Sequence, residues 1–143
     1  MMTYSKTGLA LTESFEGLRL TAYQDIKGVW TIGYGHTGPD VHEGLTITQA
    51  QAESLLAGDI EFAANCVNTA IMVQLTQPEF DAIVDLVFNI GCAAFCASTM
   101  RRMLNSGFYD EAANQFILWD HAGGKVVAGL LRRRQAETTE FNS

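Results

Sequence analysis

The strongest helical pattern in the chain runs from residue 76 to residue 91. Thr76 and Glu79 form a capping box, and Pro78 lies in the first turn, where proline is tolerated. Apolar residues then recur at intervals of three and four: Phe80, Ile83, Val84, Val87 and Phe88. Gly91 ends the pattern. We therefore predict a buried helix at the centre of the larger part of the core.

A second long helix is predicted from Thr48 to about Ala70. Thr48 and Gln51 form another capping box. An apolar stripe follows at helical spacing: Ala52, Leu55, Leu56, Ile60, Ala63 and Val67. Gly58 interrupts this stripe and lowers the helix propensity locally. The segment is placed to connect a small front lobe to the rest of the chain.

Shorter helices are predicted on either side of these two. Their capping residues are Ser5 or Thr7 for a helix ending near Glu16, Ser98 for one ending near Ser106, and Asp110 for one ending near Trp119. A last helix is predicted at about residues 128–138, after a loop at Gly123-Gly124. We find no strand signal after residue 48, so we expect the second half of the chain to be entirely helical.

The region from about residue 18 to residue 35 has a different character. It is rich in Thr, Tyr, Val, Trp and Ile, which are typical of strands, and Lys27-Gly28 is typical of a hairpin turn. Together with the helices, this region predicts an α+β fold that is mostly α. We expect a small lobe of about residues 1–58, with the hairpin, and a helical lobe of about residues 59–143.

The hairpin brings two polar side chains of chemical interest onto one face. Side chains alternate along a strand, so Asp25 lies on the same face as residues 21 and 23. Thr31 joins that face if the turn takes three or four residues. Asp25 and Thr31 can then point into one space, with Glu16 at its edge.

Composition and charge narrow the class of protein. With 143 residues and 48% hydrophobic composition, the chain fits one compact domain or two small lobes that share a core. The formal net charge of −7 is opposite to that of most nucleic-acid-binding proteins, so we expect no nucleic-acid partner. The N-terminal segment does not resemble a signal peptide, and no stretch approaches the roughly 18 apolar residues of a transmembrane helix. We expect no membrane anchor.

The cysteines suggest a reducing compartment. Cys66, Cys92 and Cys96 cannot all pair within one chain, so a disulfide framework is not expected. No histidine lies at ligand spacing from Cys92 and Cys96, so we expect no metal site and no cofactor. The simplest interpretation is that these residues are small buried hydrophobes.

Glu16, Asp25 and Thr31 are the candidate catalytic residues. Two carboxylates in different environments can divide acid and base work. Glu16, at a helix end beside Phe15 and the aromatics of the hairpin, could be withdrawn from water and keep a proton. Asp25, beside an open turn, would stay ionised and could hold a water molecule together with Thr31. This division suits hydrolysis of a sugar polymer, although the spacing alone also fits a surface helix beside a capped hairpin, and Glu13 is a rival for Glu16.

At these positions the sequence resembles the phage-type lysozymes, the endolysins of glycoside hydrolase family 24. The family pattern is Glu, eight residues, Asp, five residues, Thr, and Glu16, Asp25 and Thr31 reproduce it without insertion. The flanking segments 16–23 and 30–36 also match, as do 86–91, 110–113 and several positions between 119 and 134. The resemblance covers nearly the whole chain.

The resemblance implies a fold, an activity and a division of roles. The family fold has a cleft between the two lobes, and its activity is hydrolysis of the β-1,4 bond between N-acetylmuramic acid and N-acetylglucosamine in peptidoglycan. Glu16 is then the general acid, and Asp25 with Thr31 stabilises charge and places the attacking water. That arrangement implies inversion, with the two carboxyl groups roughly 6.5–9.5 Å apart. A lytic transglycosylase and a non-catalytic wall-binding module are the alternative readings.

The resemblance also suggests residues that bind the sugar chain. Thr37, Phe88, Ser98 and Gln115 fall where family members contact sugar, and Trp119 is a candidate aromatic of the cleft wall. Phe88 and Trp119 fit the core as well.

The sequence also suggests roles for His36, Tyr34 and a run of three arginines. His36 is expected to make an ion pair or hydrogen bond across the small lobe, and Tyr34 either lines the cleft or packs. Arg132, Arg133 and Arg134 are expected to be mostly a solvated helix face, from which one reaches Glu16 or the substrate.

The expected partner is the glycan strand of peptidoglycan. We expect a monomer that waits in the host cytoplasm and reaches the wall or periplasm after a holin forms pores. Because both enzyme and wall are negatively charged, activity should depend on ionic strength. The sequence leaves open the target bacterium, a free-phage or prophage origin, the tolerated peptide stems and the redox state of the cysteines.

Overall fold

The computed structural model describes all 143 residues, and it confirms the predicted α+β, mostly α class. The helices are α1 (Lys6–Glu16), α2 (Gln49–Ala70), α3 (Gln77–Ile90), α4 (Cys92–Cys96), α5 (Thr99–Asn105), α6 (Tyr109–Ala113) and α7 (Ala128–Phe141), with a 3₁₀ helix at Phe116–Trp119. The strands are β1 (Arg19–Gln24), β2 (Trp30–Gly33), β3 (His36–Thr37), β4 (His121–Ala122) and β5 (Lys125–Val126).

The predicted helix starts are confirmed except one. Thr48 and Thr76 each form a complete capping box, and the hydroxyls of Ser5 and Ser98 accept hydrogen bonds from the first turns of their helices. The exception is Asp110, which does not cap α6. It lies inside the first turn of that helix, where a negative charge is favourable because the helix N-terminus is partly positive.

The small sheet is antiparallel, in the order β1-β2-β3. Tyr23 pairs with Thr31, so these two side chains share a face, as predicted. Gln24 pairs with Trp30, which leaves residues 25–29 in the loop. The loop is therefore longer than the three or four residues on which the shared face of Thr31 was conditional, because Asp25 itself closes the loop.

The prediction that no strand follows residue 48 is wrong. Strands β4 and β5 form a small hairpin around Gly123-Gly124, with His121 opposite Val126. Both glycines take positive φ, 60° and 78°, as a tight two-residue hairpin turn requires. Strands of two residues are too short to show alternation, so only the turn was visible in the sequence.

The core forms where α3 packs against α1, α2 and α7. Fully buried side chains of α3 fill its centre: Phe80, Ile83, Val84 and Leu86. Helix α2 runs unbroken through Gly58 and carries Leu56 and Ile60 into the same core. Our division of the chain near residue 58 falls inside this helix and stays a prediction.

The cysteine prediction needs correction, because Cys66 and Cys92 form a disulfide. The bond links α2 to α4 and leaves Cys96 as a free, exposed cysteine. An odd number of cysteines excludes complete pairing but not one bond. The packing of two helices whose cysteines are 26 residues apart made this bond possible. Our inference of a reducing compartment assumed that no disulfide forms, so it no longer holds.

No helix combines the length and the apolar character needed to cross a bilayer.

Candidate active site

Glu16 is the last residue of α1 and lies where that helix meets the sheet. The helix ends there because Gly17 takes a φ of 70°, which glycine adopts without strain. A methyl group added to Gly35 would lie 3.6 Å from Oε2 of Glu16, so the carboxylate rests close to this turn after β2. The Glu16 side chain is 18% exposed. It is therefore mostly withdrawn from water and still reachable.

Arg133 holds the Glu16 carboxylate from the other end of the chain. Its Nη1 donates to Oε1 of Glu16 at 3.3 Å, while Nε and Nη2 donate to the two oxygens of Asp85 at 2.9 Å each. The guanidinium is almost fully buried and lies over the ring of Phe15. The expectation that one arginine reaches Glu16 is confirmed for Arg133. The expectation of a solvated face is wrong for Arg133 and Arg134, which are both buried.

Asp85 is the centre of this buried network. It is completely buried and also accepts a hydrogen bond of 2.7 Å from the hydroxyl of Thr12. Burial by itself would raise the pKa of the Asp85 carboxyl, but hydrogen bonds from Glu137 and Arg133 hold that pKa below its ordinary value. Burial, together with the Asp85 charge, raises the pKa of Glu137 well above its ordinary value. Asp85 therefore carries the charge that balances Arg133, while Glu137 lies against the guanidinium of Arg134, with Oε1 2.6 Å from its Nε.

Asp25 is held by the backbone of its own loop. Its Oδ1 accepts hydrogen bonds from the amides of Lys27 at 2.8 Å and Val29 at 2.9 Å. This is an Asx-type turn, in which an aspartate side chain stands in for a backbone carbonyl. Oδ2 has no hydrogen-bond partner within the protein. One oxygen thus fixes the carboxylate, and the other is available to water or substrate.

Thr31 is buried in β2, and its hydroxyl donates to the carbonyl of Val29 at 3.0 Å. The amide of the same Val29 binds Asp25, so the two side chains are organised around one residue of the loop. No hydrogen bond or ion pair joins Glu16 to either of them. The structure therefore organises Asp25 and Thr31 around Val29, and it places Glu16 beside Gly35, at the turn after β2.

The surface pockets do not single out these three residues. A pocket of ≈ 440 Å³ lies next to Glu16 and is lined by Phe15, Leu130 and Arg133, among others. The pockets along the N-terminal segment, beside the disulfide and under the loop before α2 are lined by residues other than Glu16, Asp25 and Thr31. An open groove for a polymer does not need an enclosed cavity, so we assign the site from its residues and not from pocket volume.

Comparisons with known proteins decide the class. A family model described as phage lysozyme matches residues 13–137. The chain belongs to the phage lysozyme family. The endolysin of Acyrthosiphon pisum secondary endosymbiont phage 1 is 48% identical over 99% of both chains. The endolysin of Bacillus phage B103 is 42% identical over 98% of this chain, which spans only 54% of that longer protein. A crystal structure of P22 lysozyme matches with a TM-score of 0.93 and 41% identity, covering 100% of both chains.

Family and fold together confirm the activity that the sequence suggested. This lysozyme is a muralytic hydrolase of the endolysin class, acting on peptidoglycan. The roles of individual residues are a separate question, because similarity over a whole chain does not test a single side chain.

The candidate sugar-binding residues are scattered over the lysozyme. Thr37 is exposed in β3 and pairs with Thr31, next to the predicted catalytic residues. Phe88 and Trp119 are half-buried and pack against the core, and the Gln115 side chain makes no hydrogen bond within the protein. The Ser98 hydroxyl donates to the Phe95 carbonyl and accepts from the Arg101 amide, so the cap of α5 already uses it. The assignments to sugar stay predictions.

His36 makes the ion-pair and hydrogen-bond contacts that the sequence predicted for it. Nδ1 lies 2.8 Å from Asp59 of α2, and Nε2 lies 3.0 Å from Asp40. Tyr34 is buried and packs in the core. Both residues therefore hold the end of the sheet against the long helix.

The sequence reading missed Asp85 and Glu137. A signal was present for each: Asp85 stands within an otherwise apolar helix face, and Glu137 follows Arg133 by four residues and Arg134 by three. A charge among core positions, with opposite charges at helical spacing elsewhere, indicates a buried ion pair. The sequence pattern does not predict which carboxylate contacts which arginine.

Proposed function

We propose that this lysozyme cleaves the β-1,4 bond between N-acetylmuramic acid and N-acetylglucosamine by a single inverting displacement. Glu16 protonates the leaving oxygen, and Asp25 and Thr31 deliver water to the opposite face of the sugar ring. This assigns one role to each of the three residues that match the family pattern.

The arrangement around Val29 is the observation that carries the proposal. The Thr31 hydroxyl already donates its proton to the Val29 carbonyl, so towards water it can only accept. The Oδ2 atom of Asp25 also only accepts. A water molecule between them would donate both of its protons to these two oxygens. Its lone pair would then face away from the loop as the nucleophile, and Asp25 would take up the proton that is released.

The environment of Glu16 supports the acid role. The carboxyl group is mostly withdrawn from water and still reachable by a substrate. Arg133 lies at 3.3 Å and is itself held by Asp85 on its buried side. Glu16 therefore has a positioning partner that the core fixes in place. When Glu16 gives up its proton, the same guanidinium stabilises the carboxylate that forms.

The stereochemistry of the product tests this proposal. NMR of the reducing end, recorded before mutarotation, should show the α-anomer as the first product. A first product with retained β-configuration would contradict it, because it requires a covalent intermediate or an equivalent double displacement. A 1,6-anhydro product in mass spectrometry would instead indicate a lytic transglycosylase, which needs no bound water.

We also propose that the lysozyme is made in the host cytoplasm and reaches the wall through holin pores. This proposal rests on the similarity to relatives that are named endolysins. Expression in a sensitive host should cause lysis only when a holin is expressed with it. Rapid lysis without a holin would point to export by another route.

A further inference from the structure

Three sulfur atoms converge on the side of the molecule formed by α2 and α4. Cys66 comes from α2, and Cys92 and Cys96 come from α4, one helical turn apart. The three Sγ atoms all lie within 4.8 Å of one another, and the sulfurs of Cys92 and Cys96 are 3.9 Å apart. Cys66 and Cys92 are joined in the disulfide, and Cys96 is a free, exposed thiol. None of these residues takes part in the hydrolase chemistry above.

The shape of the cluster distinguishes two kinds of sulfur chemistry. A thiol attacks a disulfide along the S–S axis, so a Cys96 thiol aligned on the Cys92 sulfur would lie about 6 Å from the Cys66 sulfur. The Cys96 and Cys66 sulfurs are at most 4.8 Å apart, which is shorter than this alignment requires. The three sulfur atoms therefore form a triangle and are not in line. Three thiolates around one tetrahedral metal at about 2.3 Å lie about 3.8 Å from one another. The spacing of Cys92 and Cys96 matches that value.

We propose that the reduced protein binds one thiophilic cation, such as Zn²⁺, through Cys66, Cys92 and Cys96. The disulfide and the metal site are alternative states, because the disulfide occupies two of the three ligands. Two equivalents of a small thiol reduce the disulfide to two cysteine thiols and are themselves oxidised to a disulfide. Binding of the cation to the three thiols then releases three protons.

The surroundings favour a soft cation over a hard one. No carboxylate or imidazole belongs to the cluster, so it offers sulfur and no oxygen ligand from an acid. A surface pocket of ≈ 530 Å³ opens beside it, lined by Phe62, Asn65, Thr69 and Arg101, among others. This pocket provides a route for the cation and room for a water molecule as the fourth ligand.

Arg101 balances the charge of the loaded site. Its Nη1 donates to the carbonyl of Cys96 at 3.3 Å, which holds the guanidinium beside the cluster. Three thiolates and one divalent cation carry a net charge of −1. The positive charge of Arg101 offsets it. The loaded site would also keep α2 tied to α4, so this link survives loss of the disulfide.

Cadmium is the probe, since thiolate-to-cadmium charge transfer gives an ultraviolet band. The wild-type protein, reduced with a phosphine that is then removed, should take up one equivalent of Cd²⁺ with growth of this band, and Zn²⁺ should displace it. The oxidised protein should show no band. The reduced Cys96→Ser variant keeps two thiolates and should bind more than about tenfold more weakly.

Thermal unfolding supplies a second readout and the control for folding. Cys96 is exposed, so the oxidised Cys96→Ser variant should unfold at the wild-type temperature. Zn²⁺ should raise the unfolding temperature of the reduced wild type and leave the oxidised protein unchanged. Equal Cd²⁺ affinities for the reduced wild type and Cys96→Ser, or no band in the reduced wild type, would overturn the proposal. The hydrolase activity is independent of either result.

Discussion

Asp25 and Glu16 are held in place in opposite ways. Asp25 is fixed by amides two and four residues further along the chain, within the loop that it closes. Glu16 is held by Arg133, which is 117 residues away in sequence and is itself fixed by Asp85 of α3. The proposed water-binding end of the site is therefore a local structure, and the proposed acid end depends on the assembled core.

This difference makes the two ends vulnerable to different changes. A substitution in the hairpin loop should alter chemistry with little effect on stability, because the loop is exposed. A substitution in the network behind Glu16 should alter stability first, because Asp85 and Arg133 are buried. Four substitutions test this contrast, from the largest effect to the smallest.

Glu16→Gln should lower wall-clearing activity by about 10²- to 10⁴-fold or more, since an amide cannot donate the catalytic proton. The side chain keeps its size, so the far-ultraviolet circular dichroism spectrum should match the wild type. A turbidity assay on purified walls gives the rate. If the variant clears walls at close to the wild-type rate, Glu16 is not the general acid. Glu13→Gln is the matched control and should remain active.

Arg133→Met should destabilise the protein by about 3–5 kcal/mol, because it leaves the charge of Asp85 buried without its partner. Urea unfolding measures the loss. Arg132→Met, on the exposed side of the same helix, should change stability little. Adding Asp85→Leu to Arg133→Met should restore part of the stability, because no unpaired charge remains. Equal stability of Arg133→Met and Arg132→Met would show that the buried network is not what holds α7 to α3.

Thr31→Val should lower turnover about tenfold, which corresponds to loss of one hydrogen bond to the attacking water. Valine has nearly the same shape and suits a strand, so stability should fall little. Thr21→Val, in the neighbouring strand, is the matched control. Should both variants lose the same activity, the effect would belong to the sheet and not to water delivery.

His36→Asn should have the smallest effect, about 1 kcal/mol or less. Burial by itself would lower the pKa of His36, but hydrogen bonds to Asp59 and Asp40 raise it above its ordinary value. The charged form is thus favoured in the folded state, so the contribution of His36 is complete below about pH 6.5 and is lost as pH rises through the raised pKa.

The pH dependence provides the measurement for this histidine. The difference in unfolding free energy between wild type and His36→Asn should shrink from pH 5 to pH 8. Asp59→Asn should reduce the difference more than Asp40→Asn, because Asp59 is less exposed than Asp40. A difference that grows with pH would mean that His36 is held neutral.

Much of the fold follows from local signals. The caps at Ser5, Thr48, Thr76 and Ser98 and the apolar stripes of α2 and α3 depend on neighbours within a few residues, so the sequence alone predicts these helices. The same holds for the hairpin and for the shared face of Tyr23 and Thr31, because side chains alternate along paired strands.

Other features were decided only by tertiary structure. The sequence could not show that Cys66 meets Cys92, or that Arg133 and not its neighbours reaches Glu16, because each contact joins elements that are distant along the chain. Asp85 and Glu137 are visible as charges, but the lowered pKa of Asp85 and the raised pKa of Glu137 depend on burial and on each other's position. The periodicity of apolar residues shows which face of a single helix or strand is buried. These contacts depend on how several helices and strands are placed relative to one another.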